Sequence, residues 1–178
     1  MTPPEPELRV LTSTKYLRFV ARDGWEFVQR ANCTAVIAIA ALTDEGKLLL
    51  VEQFRPPVNA KVIELPAGLV GDEPGADGES LADAAHRELL EETGYQANEM
   101  REVFRGVTSA GMTDETITFF IARGLRRIAH GGGVAGEKIV IHEVPLAEID
   151  AWLWGREQLG IKLDARLLTG VYLLQSDT

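Results

Sequence analysis

The sequence predicts an α+β domain, a mixed sheet layered between helices as an α/β/α sandwich with an antiparallel sheet at its N-terminus. Three observations carry that expectation. Alternating or wholly apolar runs of strand length recur along most of the chain. One amphipathic, acid-rich segment near the middle interrupts them at helical spacing. Two further helical patterns close the chain, which suits helices packed on a sheet.

The 178 residues suit one domain, 1–178, with residues 1–30 as an N-terminal strand unit and 31–178 as the core. A net charge of −9 argues against a nucleic-acid partner, whose binding needs basic patches. It also means that a phosphate-bearing ligand would need metal ions and a few placed arginines to reverse the local field. The single cysteine, Cys33, permits no internal disulfide and fits a reducing compartment. The N-terminus lacks the basic and apolar regions of a secretory signal, and the longest apolar run, Ala35–Leu42, is too short to span a bilayer. A cytoplasmic protein with no membrane partner is the expectation.

Taken in order, residues 1–7 are proline-rich and loose. Leu8–Thr12 and Tyr16–Arg22 read as strands, Asp23-Gly24 as a two-residue hairpin turn, and Trp25–Arg30 as the alternating return strand. Trp25 and Phe27 share one face, so Trp25 would pack in a core or in an interface between copies. Cys33–Leu42 is apolar almost throughout and should be a central strand buried on both faces. After the Asp44-Glu45-Gly46 turn, Lys47–Phe54 is the next strand and runs into Arg55-Pro56-Pro57; Val62–Leu65 then leads into Pro66-Ala67-Gly68.

Past the acidic segment, Met100–Val107 and Glu115–Ala122 read as strands joined by the loop Thr108–Asp114. Arg123, Arg126 and Arg127 form a solvated edge. Gly131, Gly132 and Gly133 make the following loop mobile, of the kind that closes over a ligand. Ile139–Val144 is a strand in which His142 is structural. Pro145 opens a helix whose Trp152 and Trp154 pack on the sheet. Asp164–Leu174 is the terminal helix, with Leu167, Leu168, Val171 and Leu174 on one side.

The acid-rich segment holds the chemistry. Ser80 with Asp83 three residues on marks a helix start of the capping-box type, and Gly94 supplies the stop. At about 100° per residue, with Glu88 at zero, Glu91 falls near 300° and Glu92 near 40°, so the three carboxylates share one sector. Glu92 borders the apolar arc of Ala82, Ala85 and Leu89 instead of opposing it. Like charges at this spacing, half-buried and about 6 Å apart at an effective dielectric near 20, would repel by about 3 kcal/mol per pair. Arg87 can neutralise one acid, Glu79 or Glu91. The remaining carboxylates call for a hard divalent cation with oxygen ligands, Mg²⁺ or Mn²⁺ in its place.

Glu79, seven intervening residues, then Arg87-Glu88-Leu89-Leu90-Glu91-Glu92-Thr93-Gly94-Tyr95 resembles the Nudix box, G-x5-E-x7-R-E-U-x-E-E-x-G-U with U a bulky apolar residue. The one departure is the opening glycine: ten residues separate Gly68 from Glu79, a loop extension that costs little. Gln53-Phe54-Arg55-Pro56-Pro57 and Glu64-Leu65-Pro66-Ala67-Gly68 are similar to segments of the ADP-ribose and nucleotide-sugar pyrophosphatases of that family. The loop Ser109-Ala110-Gly111 has alanine where many of those members carry proline.

The resemblance implies a Mg²⁺-dependent hydrolase of the diphosphate linkage in a nucleoside diphosphate derivative, ADP-ribose or a nucleotide-sugar. It implies Glu88, Glu91, Glu92 and the Ala67 carbonyl as metal ligands, with Arg87 and Glu79 orienting the acids. Arg55 then meets the substrate phosphates or forms a salt bridge, and Glu64 binds substrate or fixes its loop. Glu115 holds substrate or a metal-bound water, or is a plain strand-end acid. Glu137 is the general base or an exposed loop acid, with Glu91 as the other base candidate. The resemblance adds a nucleobase platform to the readings of Trp25, and a homodimer built on the N-terminal sheet. Two other functions stand beside it: a nucleotide-binding sensor without turnover, and hydrolysis of dinucleoside polyphosphates or oxidised nucleotides.

Overall fold

The computed structural model describes residues 7–71, 78–133, 136 and 138–177. Strands β1 (Arg9–Ser13), β2 (Leu17–Arg22) and β3 (Trp25–Arg30) form an antiparallel sheet in chain order. Its second turn is set by Asp23 and Gly24, both left-handed at φ 50° and 81°, which matches the twist of a two-residue hairpin and pairs Arg22 with Trp25.

Two four-stranded sheets build the core. One runs β7 (Ala67–Val70), β4 (Ala35–Ala41), β9 (Thr116–Arg127), β8 (Tyr95–Val107); the other runs β10 (Val140–Pro145), β5 (Lys47–Arg55), β6 (Ala60–Glu64), β11 (Lys162–Leu163). β4 is parallel to β9 and antiparallel to β7, so the sheet is mixed. The burial of β4 on both faces follows its sequence. Val36, Ala38 and Ala40 join one apolar cluster with Leu48, Leu50 and Ile63, and Ile37, Ile39 and Ala41 join a second with Ala84, Ala85 and Leu89. The second cluster lies beneath helix α1 (Leu81–Thr93). The first is closed by α2 (Ile149–Gln158) and α3 (Ala165–Ser176) through Leu153, Leu167, Val171 and Leu174. The helix–sheet–helix layering expected from the sequence is therefore present.

α1 starts and stops on the residues that mark it. Ser80 accepts the Asp83 N–H at 3.1 Å, and Gly94, left-handed at φ 77°, donates to the Leu90 carbonyl at 2.8 Å. Three expectations needed correction. β8 begins at Tyr95 rather than Met100, because Tyr95 and Ala97 alternate inward against α1 while the polar residues between them disguise the strand. The arginine edge is solvated as expected, with Arg126 and Arg127 exposed, but it is ordered strand and not a connection beyond Ala122: Arg123–Arg127 continues β9 and pairs with Tyr95–Glu99. Trp154 is 51% exposed and does not pack on the sheet, whereas Trp152 does, edge-on to His142 with rings 5.0 Å apart.

His142 is structural. Its Nε2 lies 3.0 Å from Glu52, a carboxylate only 6% exposed that also accepts Lys61 Nζ at 2.8 Å. Burial pushes the Glu52 pKa up, but the hydrogen bonds from Lys61 and His142 outweigh it and hold the group below its ordinary value. A folded pKa below the unfolded one stabilises above the unfolded value, and that contribution is lost as the pH falls through the folded value. The melting temperature of the wild type should therefore drop more steeply below about pH 4 than that of Glu52→Gln, as followed by circular dichroism. Parallel curves would remove Glu52 from the acid response.

Candidate active site

α1 presses Ala84, Ala85 and Leu89 onto the sheet and turns its acids along β7. Ile39 N–H donates to the Pro66 carbonyl, so Ala67 sits opposite Ala38 in a pair that exchanges no hydrogen bonds. Its N–H and C=O then both point off the edge of the sheet. The Ala67 N–H donates to Glu92 Oε2 at 3.1 Å, and Glu92 is 6% exposed. Glu88 lies across Gly68 so closely that a Cβ there would stand 2.0 Å from the Glu88 Cδ. Only glycine leaves room for that carboxylate.

Arg87 gathers more acids than its sequence context suggested. Its Nε and Nη2 donate to Glu79 at 3.0 and 3.2 Å, its Nη1 to Glu88 at 2.8 Å and, more weakly, to Glu91 at 3.5 Å, and its Nη2 also reaches the Leu69 carbonyl at 3.2 Å. The fixed fork of donors explains how one side chain serves three carboxylates. The hydrogen bond to Glu79 lifts the Arg87 pKa far above its usual value, with burial opposing and Glu88 reinforcing. Three carboxylates still share one guanidinium, and Glu92 stands outside its fork. Among the described residues, no group of three or more acids or histidines already converges on a metal position. The donor chemistry nonetheless fits a hard cation: Glu88 and Glu92 line one cleft with Ala67, whose carbonyl faces the same edge, and all the donors are oxygens.

That cleft, about 260 Å³, is lined by these acids and by three arginines, Arg30, Arg55 and Arg166. Arg55 holds Glu64, itself 2% exposed, through Nε and Nη2 at 2.6 Å each. The pair raises the Arg55 pKa. Arg166 Nη2 lies 3.6 Å from the same Glu64, and its Nε grips Asp164 at 2.8 and 2.9 Å. Burial would raise the Asp164 pKa, but Arg166 overcomes this and lowers it. Arg30 and Val36 also line an adjoining hollow with Gln29, Asp114 and Glu115, where Glu115 pairs with Arg30. Asp114 in turn borders a third hollow with Trp25, Phe27, Ala110 and Gly111.

The structure thus brings Arg55, Glu64, Ala67, Glu88 and Glu92 together, with Arg87 and Glu91 beside them. Glu115 faces the adjoining hollow and does not line the acid cleft. Trp25 is 69% exposed, which removes the core-packing reading. Glu137 lies outside the described residues. The glycine run is docked rather than loose: Gly132 N–H donates to the Glu92 carbonyl at 2.8 Å and Gly133 N–H to the Glu91 carbonyl at 3.0 Å, closing the end of α1. A side chain is barred at Gly131, where a Cβ would meet the Thr93 carbonyl carbon at 2.4 Å. Sequence reasoning gave no role to Arg30, Gln53 or Arg166. The signal for Arg166 was Asp164 two residues before it, a helix cap whose carboxylate also accepts the Arg166 N–H at 2.8 Å.

A model of the NUDIX domain family matches residues 32–159. Over 115 residues the chain is 36% identical to the methanol dehydrogenase activator of Bacillus methanolicus, a match covering 65% of this chain and 58% of that one. Over 89 residues it is 40% identical to the ADP-ribose pyrophosphatase of Bacillus subtilis strain 168, covering 50% of this chain and 45% of the other. The chain spans about half the length of these curated relatives. A crystal structure of an ADP compounds hydrolase superimposes with a TM-score of 0.71 at 18% identity, covering 99% of this chain and 95% of that one, a likeness of fold.

Proposed function

The chain belongs to the Nudix family, and from that premise we propose that it hydrolyses the diphosphate linkage of a nucleoside diphosphate derivative, ADP-ribose or a nucleotide-sugar, with Mg²⁺ as cofactor. One observation carries the reading: Glu88 and Glu92, with Ala67, line a single cleft together with Arg55 and Arg166. A diphosphate needs both kinds of group in one cleft, acids to hold cations and arginines to hold its oxygens directly. The similarity to an ADP-ribose pyrophosphatase favours that substrate.

Glu88, Glu91, Glu92 and the Ala67 carbonyl would hold the Mg²⁺, or Mn²⁺ in its place, which when bound neutralises the diphosphate and acidifies the attacking water. Arg87, fixed by Glu79, keeps Glu88 and Glu91 from swinging apart. Arg55, anchored by buried Glu64, offers its remaining N–H groups to phosphate oxygens without having to order itself on binding. Glu137 is the proposed general base, with Glu91 in that role if the loop acid takes no part. Water adds to one phosphorus, the bridging P–O bond breaks, and the proton passes by way of the base to the products. ADP-ribose would give AMP and ribose 5-phosphate. Exposed Trp25 is the proposed nucleobase platform, and Glu115, beside Arg30, a substrate contact in the adjoining hollow.

A homodimer through the N-terminal sheet is part of the reading, supported by the exposed Val10, Leu11, Leu17 and Phe19. Among the described residues no helix is long and apolar enough to cross a membrane; a single domain acting in the cytoplasm is the proposal. The test is product chromatography after incubation with ADP-ribose, GDP-mannose, a dinucleoside polyphosphate and an oxidised nucleotide. The first two should release nucleoside monophosphate with Mg²⁺ and none after chelation. Binding of ADP-ribose without turnover would instead make the protein a sensor.

A further inference from the structure

Arg166 stands on the first turn of α3, beyond residue 159 where the family match ends, yet it lines the cleft with Glu88 and Glu92. A salt bridge needed only to cap α3 could have formed anywhere on the surface. Here Asp164 does two things at once. It caps the helix through the Arg166 N–H at 2.8 Å, and it grips the Arg166 guanidinium by one edge. Glu64 grips Arg55 by one edge in the same way, and Arg166 Nη2 lies 3.6 Å from that same carboxylate. Two guanidiniums therefore flank one buried acid. Each carries five N–H groups, and a carboxylate edge engages only two or three of them. The charges of Arg55 and Arg166 are balanced by Glu64 and Asp164, so directed N–H groups held in advance, and not an excess of positive charge, are what the pair offers a ligand.

We propose that Arg166 is a substrate-binding residue that works as a pair with Arg55, the two guanidiniums flanking Glu64 and taking one phosphoryl group each of a diphosphate. The inference rests on the hydrolase reading and deepens it, for it places recognition of the second phosphoryl group on the terminal helix. A ligand with one phosphoryl group can occupy only one of the two forks. The preference for nucleoside diphosphate over monophosphate should then depend on Arg166.

The experiment uses the full chain and calorimetric binding of ADP and of AMP, alongside steady-state kinetics with ADP-ribose and Mg²⁺. Arg166→Ala should weaken ADP by about 10- to 100-fold, the range of a charge-assisted hydrogen-bonded contact, and AMP by much less. The kinetic loss should fall in KM more than in kcat. Arg166→Lys, which keeps the charge without the fork, should retain part of the ADP preference. Equal weakening of ADP and AMP, or no change in either, overturns the proposal and leaves Arg166 only the ion-pair partner of Asp164 at the start of α3. Should Arg166→Ala fail to fold, Arg166→Lys decides, and an unchanged ADP-to-AMP ratio overturns it. If the wild type hydrolyses no diphosphate at all, the hydrolase reading falls, while the ADP-to-AMP ratio still decides the arginine pair.

Discussion

Glu92→Gln should melt at or slightly above the wild-type temperature while hydrolysing ADP-ribose roughly 10²- to 10⁴-fold more slowly at saturating Mg²⁺. The amide keeps an oxygen that can accept the Ala67 N–H, now met at 3.1 Å, so the link between α1 and β7 survives. What it loses is a negative charge in a 6% exposed position, one turn from Glu88 on the same helix face. Removing one of several like charges relieves repulsion by more than the attraction to Arg55 that it gives up, so stability should not fall. Activity should fall, because the proposed cation site would lose a ligand charge. Initial rates and thermal melts on the same sample measure both. A rate within tenfold of the wild type would take Glu92 out of the mechanism.

Gly68→Ala should be nearly as damaging by a different route. The new Cβ would lie 2.0 Å from Cδ, 2.1 Å from Oε1 and 2.4 Å from Cγ of Glu88. These atoms belong to a flexible side chain, so the chain can still fold by swinging Glu88 aside, at a cost of about 1–3 kcal/mol. That motion carries the carboxylate out of the cleft and away from Arg87, which holds it at 2.8 Å. The expected result is a drop of roughly 10²-fold or more in kcat/KM with a fold that still melts cooperatively, a few degrees lower. Wild-type activity in a folded Gly68→Ala protein would show that Glu88 is not needed where it now stands.

Much of this arrangement could be read from the residues, and the parts that could not have physical reasons. The bounds of α1 were legible because Ser80 and Gly94 are local signals that need no tertiary partner. β4 was legible because burial on both faces leaves an apolar run with nothing to interrupt it. β8 was partly hidden, since Gln96, Asn98 and Glu99 are polar and its pairing with Arg123–Arg127 is a long-range fact. The acids of the cleft were visible as a local cluster. Arg166 was not, because it reaches Glu64 across about a hundred residues of sequence and its own neighbourhood reads as an ordinary helix cap. The triple glycine was misread for a related reason: composition reports freedom of the backbone, but not whether another element uses up that freedom.

The docking of those glycines has a mechanical consequence. The last turn of a helix is ordinarily the first part to fray, and the last turn of α1 bears Glu91 and Glu92. With Gly132 and Gly133 bound to their carbonyls, and Gly94 accepting the Ile128 and Ala129 N–H groups, that turn is clamped by the segment leaving β9. The aim of two carboxylates is thereby tied to a connection forty residues further along the chain. Warming that loosens this connection would blunt the chemistry while every sheet stayed intact, so heat inactivation should set in below the temperature of global unfolding.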